Sequence, residues 1–254
     1  MYTYDRNYFK IALPAALEGL FMILLASTDL IMVGALGALS IAAISIFLQP
    51  RLILLCFSRS LASSVTLLVS KKAGAGDTAG TADIMKKSLT LCAIFMGLLH
   101  ILFYIFLDDI FYLMGANDEY MTEAMAYGPI ALASVYVTSL TLILQAVQLG
   151  YGRTSVIMKT NVCGNVVNLA LNALLIFGFG PIPSLGVTGA AIGTLASTIF
   201  TLGWTAWILK SESFFSGGSY LPDRAYFHRI MPILLSILSE QGSERVGMVL
   251  FEMS

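Results

Sequence analysis

Six long apolar stretches constrain the fold of this chain more than any motif it carries. They run roughly over Phe9–Gly34, Ile41–Ser70, Leu89–Phe106, Ala124–Gly150, Val156–Gly178 and Val187–Leu209. A helix needs about 20 mainly apolar residues to cross the hydrocarbon core of a bilayer. No water is available there, so backbone amides must be satisfied within a helix or around a closed barrel. Barrel strands would alternate apolar and polar residues, and these stretches do not. The expected fold is therefore all-α, a polytopic membrane helical bundle. Composition agrees: 57% of residues are hydrophobic and 11% charged, with a mean hydropathy of +0.84, where soluble domains carry about 25% charged residues. The first stretch is too long, and too polar at its end, for a cleaved signal segment, and reads as a retained first span.

The breaks between stretches carry turn chemistry: Gly34–Gly37, Lys71–Asp77, Gly115–Asp118, Gly150–Gly152, Gly178–Pro183 and Ser216–Ser219. Charge orients them. Arg6 and Lys10 precede the first span. Lys71, Lys72, Lys86 and Lys87 flank the second connection, Arg153 and Lys159 the fourth, and Lys210, Arg224 and Arg229 the sixth. The odd connections lack Lys and Arg, and the third carries Asp108, Asp109, Asp118, Glu119 and Glu123. The positive-inside rule then places the N-terminus and the even connections in the cytoplasm, with the spans in the inner (plasma) membrane. Arg51, Arg59 and Arg245 fall inside expected spans, where a charge needs a partner or a watery cavity.

Several function classes drop out. A net charge of −1 lacks the basic footprint of nucleic-acid binding. Cys56, Cys92 and Cys163 lie in apolar runs without paired spacing and read as small core residues. His100 reads as an interior hydrogen-bonded residue and His228 as an interfacial one. Gly74–Gly80 has no G-K-[ST] ending and follows no strand, so it is not a phosphate loop. Neither an ATPase nor a hydrolytic motif is present. The chain is expected not to be an enzyme and to need no cofactor, any active transport being driven by a Na+ or H+ gradient.

The chain also repeats itself. Tyr8-Phe9-Lys-Ile-Ala-Leu-Pro14 returns as Tyr226-Phe227-His-Arg-Ile-Met-Pro232, at a constant offset (226 − 8 = 232 − 14 = 218). Each copy is expected to place Pro in the first turn of its helix. Six spans separate the copies, the pattern of a transporter built from parallel repeats. Residues 1–224 are expected to form a six-helix bundle, and 225–254 the start of a second unit, a truncated seventh span. A natural half that dimerises is the alternative.

Within the spans, a few polar residues could carry chemistry. Asp29, late in the first, is a carboxylate in lipid, suited to binding a cation or a proton, or to pairing with Arg51. Glu18 is a weaker candidate near the inner end. Asn161, Asn165, Asn168 and Asn172, four of the six asparagines, step by four, three and four residues and share one helix face. Their amides could ligate Na+ or bond across helices. Packing accounts for Asn161 and Asn165, while Asn168 and Asn172 suit a cavity. Asp29 and Asn168 are the candidate Na+ ligands. Glu240 and Glu244 lie one turn apart in the seventh segment. Gly189 and Gly193 form a G-x-x-x-G for close helix approach, and Thr194 and Thr198 beside them could reach a cavity.

Four segments resemble the multidrug and toxic compound extrusion (MATE) family. They are Leu13-Pro14 with Thr28-Asp29-Leu-Ile-Met-Val-Gly34, Ser70-Lys-Lys-Ala-Gly-Ala-Gly-Asp77, Asn168-Leu-Ala-Leu-Asn-Ala-Leu-Leu-Ile-Phe-Gly178 and Leu185-Gly-Val-Thr-Gly-Ala-Ala-Ile-Gly-Thr194. The resemblance implies the six-helix N-lobe of a twelve-helix antiporter with parallel pseudo-two-fold repeats. Such a protein exports bulky, often cationic organic compounds in exchange for Na+ or H+, and would need a C-terminal six-helix half. Asp29 matches the family's first-span acid and Asn168 its fifth-span Asn. Asn172 stands where one branch has Asp. Glu240 is similar to a seventh-span Glu of the Na+-coupled branch. A flippase for lipid-linked oligosaccharide or peptidoglycan precursors shares the architecture. It would want a cavity rich in Arg and Lys, for which only Arg51 and Arg59 are candidates. A non-transporting membrane scaffold or an intramembrane enzyme is the third reading.

Overall fold

The computed structural model of the chain describes Ala16, Gly19, Leu20, Ile23, Ser27, Thr28 and residues 31–181, 183–212 and 214–252, with side chains as far as Ser243. Its elements are α1 (Ala38–Ser45), α2 (Leu48–Gly74), α3 (Thr78–Ile105), α4 (Leu107–Leu113), α5 (Asp118–Gly150), α6 (Thr154–Phe177), α7 (Gly186–Ser211) and α8 (Arg224–Glu252). Five stretches are helical, long and apolar enough to cross a membrane: Ala38–Gly74, α3, α5, α6 and α7. They correspond to the second through sixth expected spans. Most of the first, including Asp29 and Glu18, lies outside the described residues.

The second span is not one helix. It breaks at Ile46–Phe47, because Pro50 has no N–H to donate to the Ile46 carbonyl and its ring crowds that carbonyl. Regular bonding resumes with Arg51 N donating to Phe47 O at 3.0 Å. The third span begins eleven residues earlier than its apolar stretch. Asp77 caps α3 by accepting from Gly80 N at 2.7 Å, and also accepts from Lys72 at 2.7 Å. The Lys72 ammonium, with the Gly80 amide, holds the Asp77 carboxyl below its ordinary value. Asn117 caps α5 by accepting from Glu119 N at 3.2 Å. This draws Asp118, Glu119 and Glu123 out of the expected connection and into the first two turns of the helix, where the macrodipole favours acids.

α5 is the most buried of the long helices. It packs against α7, α2, α3 and α1, while α7 also packs closely along α6 and α8 lies on α2. Phe47, at the break, meets Phe111 and Tyr127 edge-on with centroids 6.5 and 5.9 Å apart. Ser58 and Ser139 share a 2.7 Å hydrogen bond between α2 and α5. Buried hydroxyls linked this way hold helices in register where lipid supplies no hydrophobic drive. Cys92 is buried and accounted for by packing, and His100 bonds Met96 O at 2.7 Å, as expected of an interior histidine.

The α6–α7 crossing rests on small residues. A Cβ on Gly189 would stand 2.5 Å from Leu175 O and 3.0 Å from Ile176 N, and one on Gly193 would overlap Asn172 Oδ1. The end of α6 is closed by Leu185 N donating to Leu175 O at 2.9 Å and Ser184 Oγ donating to Ile176 O at 2.6 Å. These bonds satisfy carbonyls that a helix end leaves open.

The connection from α7 to α8 is fastened to α3. Lys87 pairs with Asp83 at 2.7 Å and with Asp223 at 2.8 Å. Lys86 donates to Gly217 O, and Ser219 N donates to Asp83 Oδ1 at 3.0 Å. Both lysines are buried and lie within α3, not in a connection, although the sequence places them among the flanking charges. Asp223 also caps α8, accepting from Tyr226 N at 2.7 Å. The Lys87 ammonium and then the Tyr226 amide lower its carboxyl from the ordinary value. Because α8 begins at Arg224, Pro232 sits inside the helix and not in its first turn as expected. The capping Asp after Pro222 starts the helix before the repeat's own apolar stretch does. Tyr226 and Ile230 of α8 are buried in the same core as α2, α3 and α5.

Candidate functional site

A cavity of about 560 Å³ opens among residues of α1, α2, α5, α6 and α7, within the apolar spans. This is the size of small-molecule pockets, which run from roughly 300 to 1,000 Å³. Its apolar part comes from side chains such as Val33, Ile41, Ile44, Leu48 and Leu55.

The polar part is built mainly on α6. All four asparagines of the stripe reach the cavity, so packing does not set Asn161 and Asn165 apart from the other two. The 3.6-residue period that aligns them also aims them at one void. Asn168 Nδ2 donates to Thr194 Oγ1 across to α7 at 3.3 Å, and Asn172 Nδ2 donates to Asn168 Oδ1 at 3.3 Å. Gln145 of α5 donates to Asn161 Oδ1 at 2.7 Å. Gly193 leaves room for the Asn172 amide, which ties the small-residue seam to the site. The result is a ladder of amides and hydroxyls spanning three helices.

Sequence reasoning found Asn168, Asn172 and Thr194 together, and the structure brings them together. It missed the contribution of α5, where Thr138, Thr141 and Gln145 also line the cavity. Their steps of three and four residues repeat the signal that marked the asparagines. Ser197 and Thr201 extend the lining on α7 in the same way.

Arg51 and Arg59 also line the cavity, from α2. The expectation that an intramembrane charge faces a watery cavity therefore holds for both. Arg245 has no described side chain. Glu240 is exposed on α8 and is not part of the cavity wall. Asp29 lies outside the described residues, four positions before the lining residue Val33. Among the described residues no three His, Cys, Asp or Glu side chains cluster as a metal site would need.

Comparison with known proteins extends this picture. The MatE family model matches residues 14–174, more than half of the chain. A probable multidrug resistance protein, NorM, of Rhizobium meliloti is 26% identical over 210 residues, covering 83% of this chain and 45% of that protein. An FAD transporter of Shewanella oneidensis is 29% identical, covering 71% of this chain and 40% of its own length. The chain thus spans about half the length of the curated relatives it matches. Among solved structures, a MOP superfamily transporter from Pyrococcus furiosus superposes with a TM-score of 0.84 at 23% identity, over 96% of this chain and 54% of that one. An outward-facing multidrug resistance MATE transporter superposes with a TM-score of 0.80 at 24% identity, over 92% and 52%. A multi-pass helical fold, a polar cavity between its spans and a family match over most of its length agree: this chain belongs to the MatE family of membrane transporters.

Proposed function

We propose that the chain supplies the first helical unit of a cation-coupled antiporter that exports small organic compounds across the inner membrane by alternating access, with its N-terminus in the cytoplasm. The observation that carries this reading is the cavity itself. A void of about 560 Å³ faced by amides, hydroxyls and two arginines lies among helices otherwise apolar enough for lipid. Polar groups at that depth are costly and are retained where they serve a pathway. A second unit, related by the repeat, would complete the transporter, and rocking of one unit against the other would expose the cavity to either side in turn.

Asp29 is the proposed seat of the coupling ion, Na+ or H+, and the Asn168, Asn172 and Thr194 ladder offers further oxygen ligands. Glu240, exposed on α8, would take part through a surface that the second unit covers. Coupling requires only that the ion prefer one orientation of the two units. The family resemblance suggests bulky, often cationic cargo. The relatives' names span multidrug resistance proteins and an FAD transporter, so the charge of the cargo has to be read from this chain's own side chains.

The test is efflux by the full-length gene product with Na+ and pH gradients imposed separately. Wild type should respond to one of the two gradients. Asp29→Asn, which keeps shape and removes the ionisable group, should lower gradient-driven efflux at least tenfold (a transition of about 1.4 kcal/mol or more). Full efflux in the mutant would remove Asp29 from the coupling site and leave Glu240 or the second unit to supply it.

A further inference from the structure

Resting on the reading that this cavity carries the cargo, we propose that the cargo is an organic anion, bearing a carboxylate or phosphate, recognised by Arg51 and Arg59. Both arginines line the cavity, and the described residues around it include no aspartate or glutamate. Among the described residues the ion pairs are Lys72–Asp77, Lys87–Asp83, Lys87–Asp223 and Arg153–Glu212, none of which involves either cavity arginine. Glu123 of α5 accepts from Ser40 at 2.8 Å.

Both residues are exposed within an apolar span, where a guanidinium is costly unless something compensates it. Its planar fork of donors matches the two oxygens of a carboxylate or phosphate, and such bonds are about twice as strong as neutral ones. Arg51 and Arg59 are eight residues apart on one helix, about 12 Å along its axis at 1.5 Å per residue. The cavity therefore presents positive charge at two depths, so an anion entering from either side meets a partner on the way. On the facing wall, Gln145 and the amide ladder of α6 supply both donors and acceptors for the uncharged polar part of such a molecule. A cationic cargo in the same place would sit against two like charges, an arrangement that interfaces use to reject wrong partners. Coupling then works through the two ligands' opposite preferences for the orientation of the units, not through competition for one negative site.

The experiment uses the full-length gene product in proteoliposomes, with either gradient imposed and three fluorescent probes: carboxyfluorescein as the anion, ethidium as the cation, and an NBD-labelled phosphatidylglycerol as an anionic lipid. Gradient-driven movement of carboxyfluorescein is expected, exceeding that of ethidium. Arg51→Gln and Arg59→Gln should each lower the carboxyfluorescein rate about tenfold, the effect of losing one charge-assisted contact. The Arg51→Lys, Arg59→Lys pair, which keeps charge in a chain of similar length, should still favour carboxyfluorescein. That variant also keeps the test decisive if the glutamine variants do not fold. Ethidium moving while carboxyfluorescein does not, or a preference for ethidium in the lysine pair, overturns the anion assignment and leaves the transport reading intact. Movement of the lipid probe without the soluble dye, if lost in the glutamine variants, supports the anion assignment and makes the anion a lipid-linked one. None of the three probes moving under either gradient overturns the transport reading, and this inference with it.

Discussion

Gly189→Ala should destabilise the protein by about 1–3 kcal/mol, the range for forcing extra carbon into a packed contact. The added Cβ would lie 2.5 Å from Leu175 O and 2.6 Å from Leu175 C, with Ile176 N at 3.0 Å. All three are backbone atoms, so no side chain can swing aside. α6 and α7 must part, at the place where Leu185 and Ser184 close the end of α6. The same substitution at Gly203, on the same helix, meets nothing within 4 Å. There it should leave stability unchanged or raise it by up to about 1 kcal/mol, because alanine is the better helix former. Thermal unfolding of the two variants in detergent compares the signs directly. Equal midpoints would mean that α6 and α7 do not cross this closely.

A second large effect is expected at Lys87. Its ammonium is buried between Asp83 and Asp223, so Lys87→Met leaves two carboxylates without their shared cation. Losing one partner of a buried pair is expensive, although Asp223 is half exposed and water will soften the loss. A fall in Tm of ~3–8 °C is expected for a chain of this size, together with earlier proteolysis in the 216–223 connection. The pH dependence follows from the lowered carboxyl of Asp223. A depressed folded-state pKa stabilises fully above the ordinary value of 3.8. That contribution is lost as pH falls through the lowered value. Wild type should release the connection only in strong acid. Lys87→Met should show a smaller acid-side transition, because the Tyr226 amide still favours the Asp223 carboxylate while the Lys87 pairing is gone at every pH. A variant as resistant to protease as wild type would show that Tyr226 and Ile230 alone hold α8 in place.

Much of this architecture was legible because a membrane demands long apolar helices and the sequence alternates those with turn residues. The spans after the first were found at nearly their observed places. What was misjudged is local. The break at Ile46–Phe47 depends on one proline inside an otherwise unbroken apolar run, which hydropathy does not register. The early starts of α3 and α5 depend on Asp77 and Asn117 as caps, polar residues that a search for apolar runs discards. At the site, the asparagine stripe was visible because four rare residues share one period. The α5 wall was not, because Thr138, Thr141 and Gln145 are common residues whose spacing acquires meaning only once a void lies opposite. Arg51 and Arg59 were noted as intramembrane charges, but only the packing of α2 against the cavity revealed that they share it with the amide ladder.

The fastening of the 216–223 connection onto α3 has a mechanical consequence. α8 starts at the residue after Asp223 and runs 29 residues, about 43 Å at 1.5 Å per residue. With its first turn pinned through Lys87 and Ser88, which bonds Tyr226 Oη at 2.9 Å, a tilt of α8 has its fulcrum at its N-terminal end. A rotation of about 10° would then leave the pinned end nearly still and carry the far end through about 7.5 Å over that length. Small rearrangements at the lysine-bound end would thus emerge as large displacements at the other end of α8.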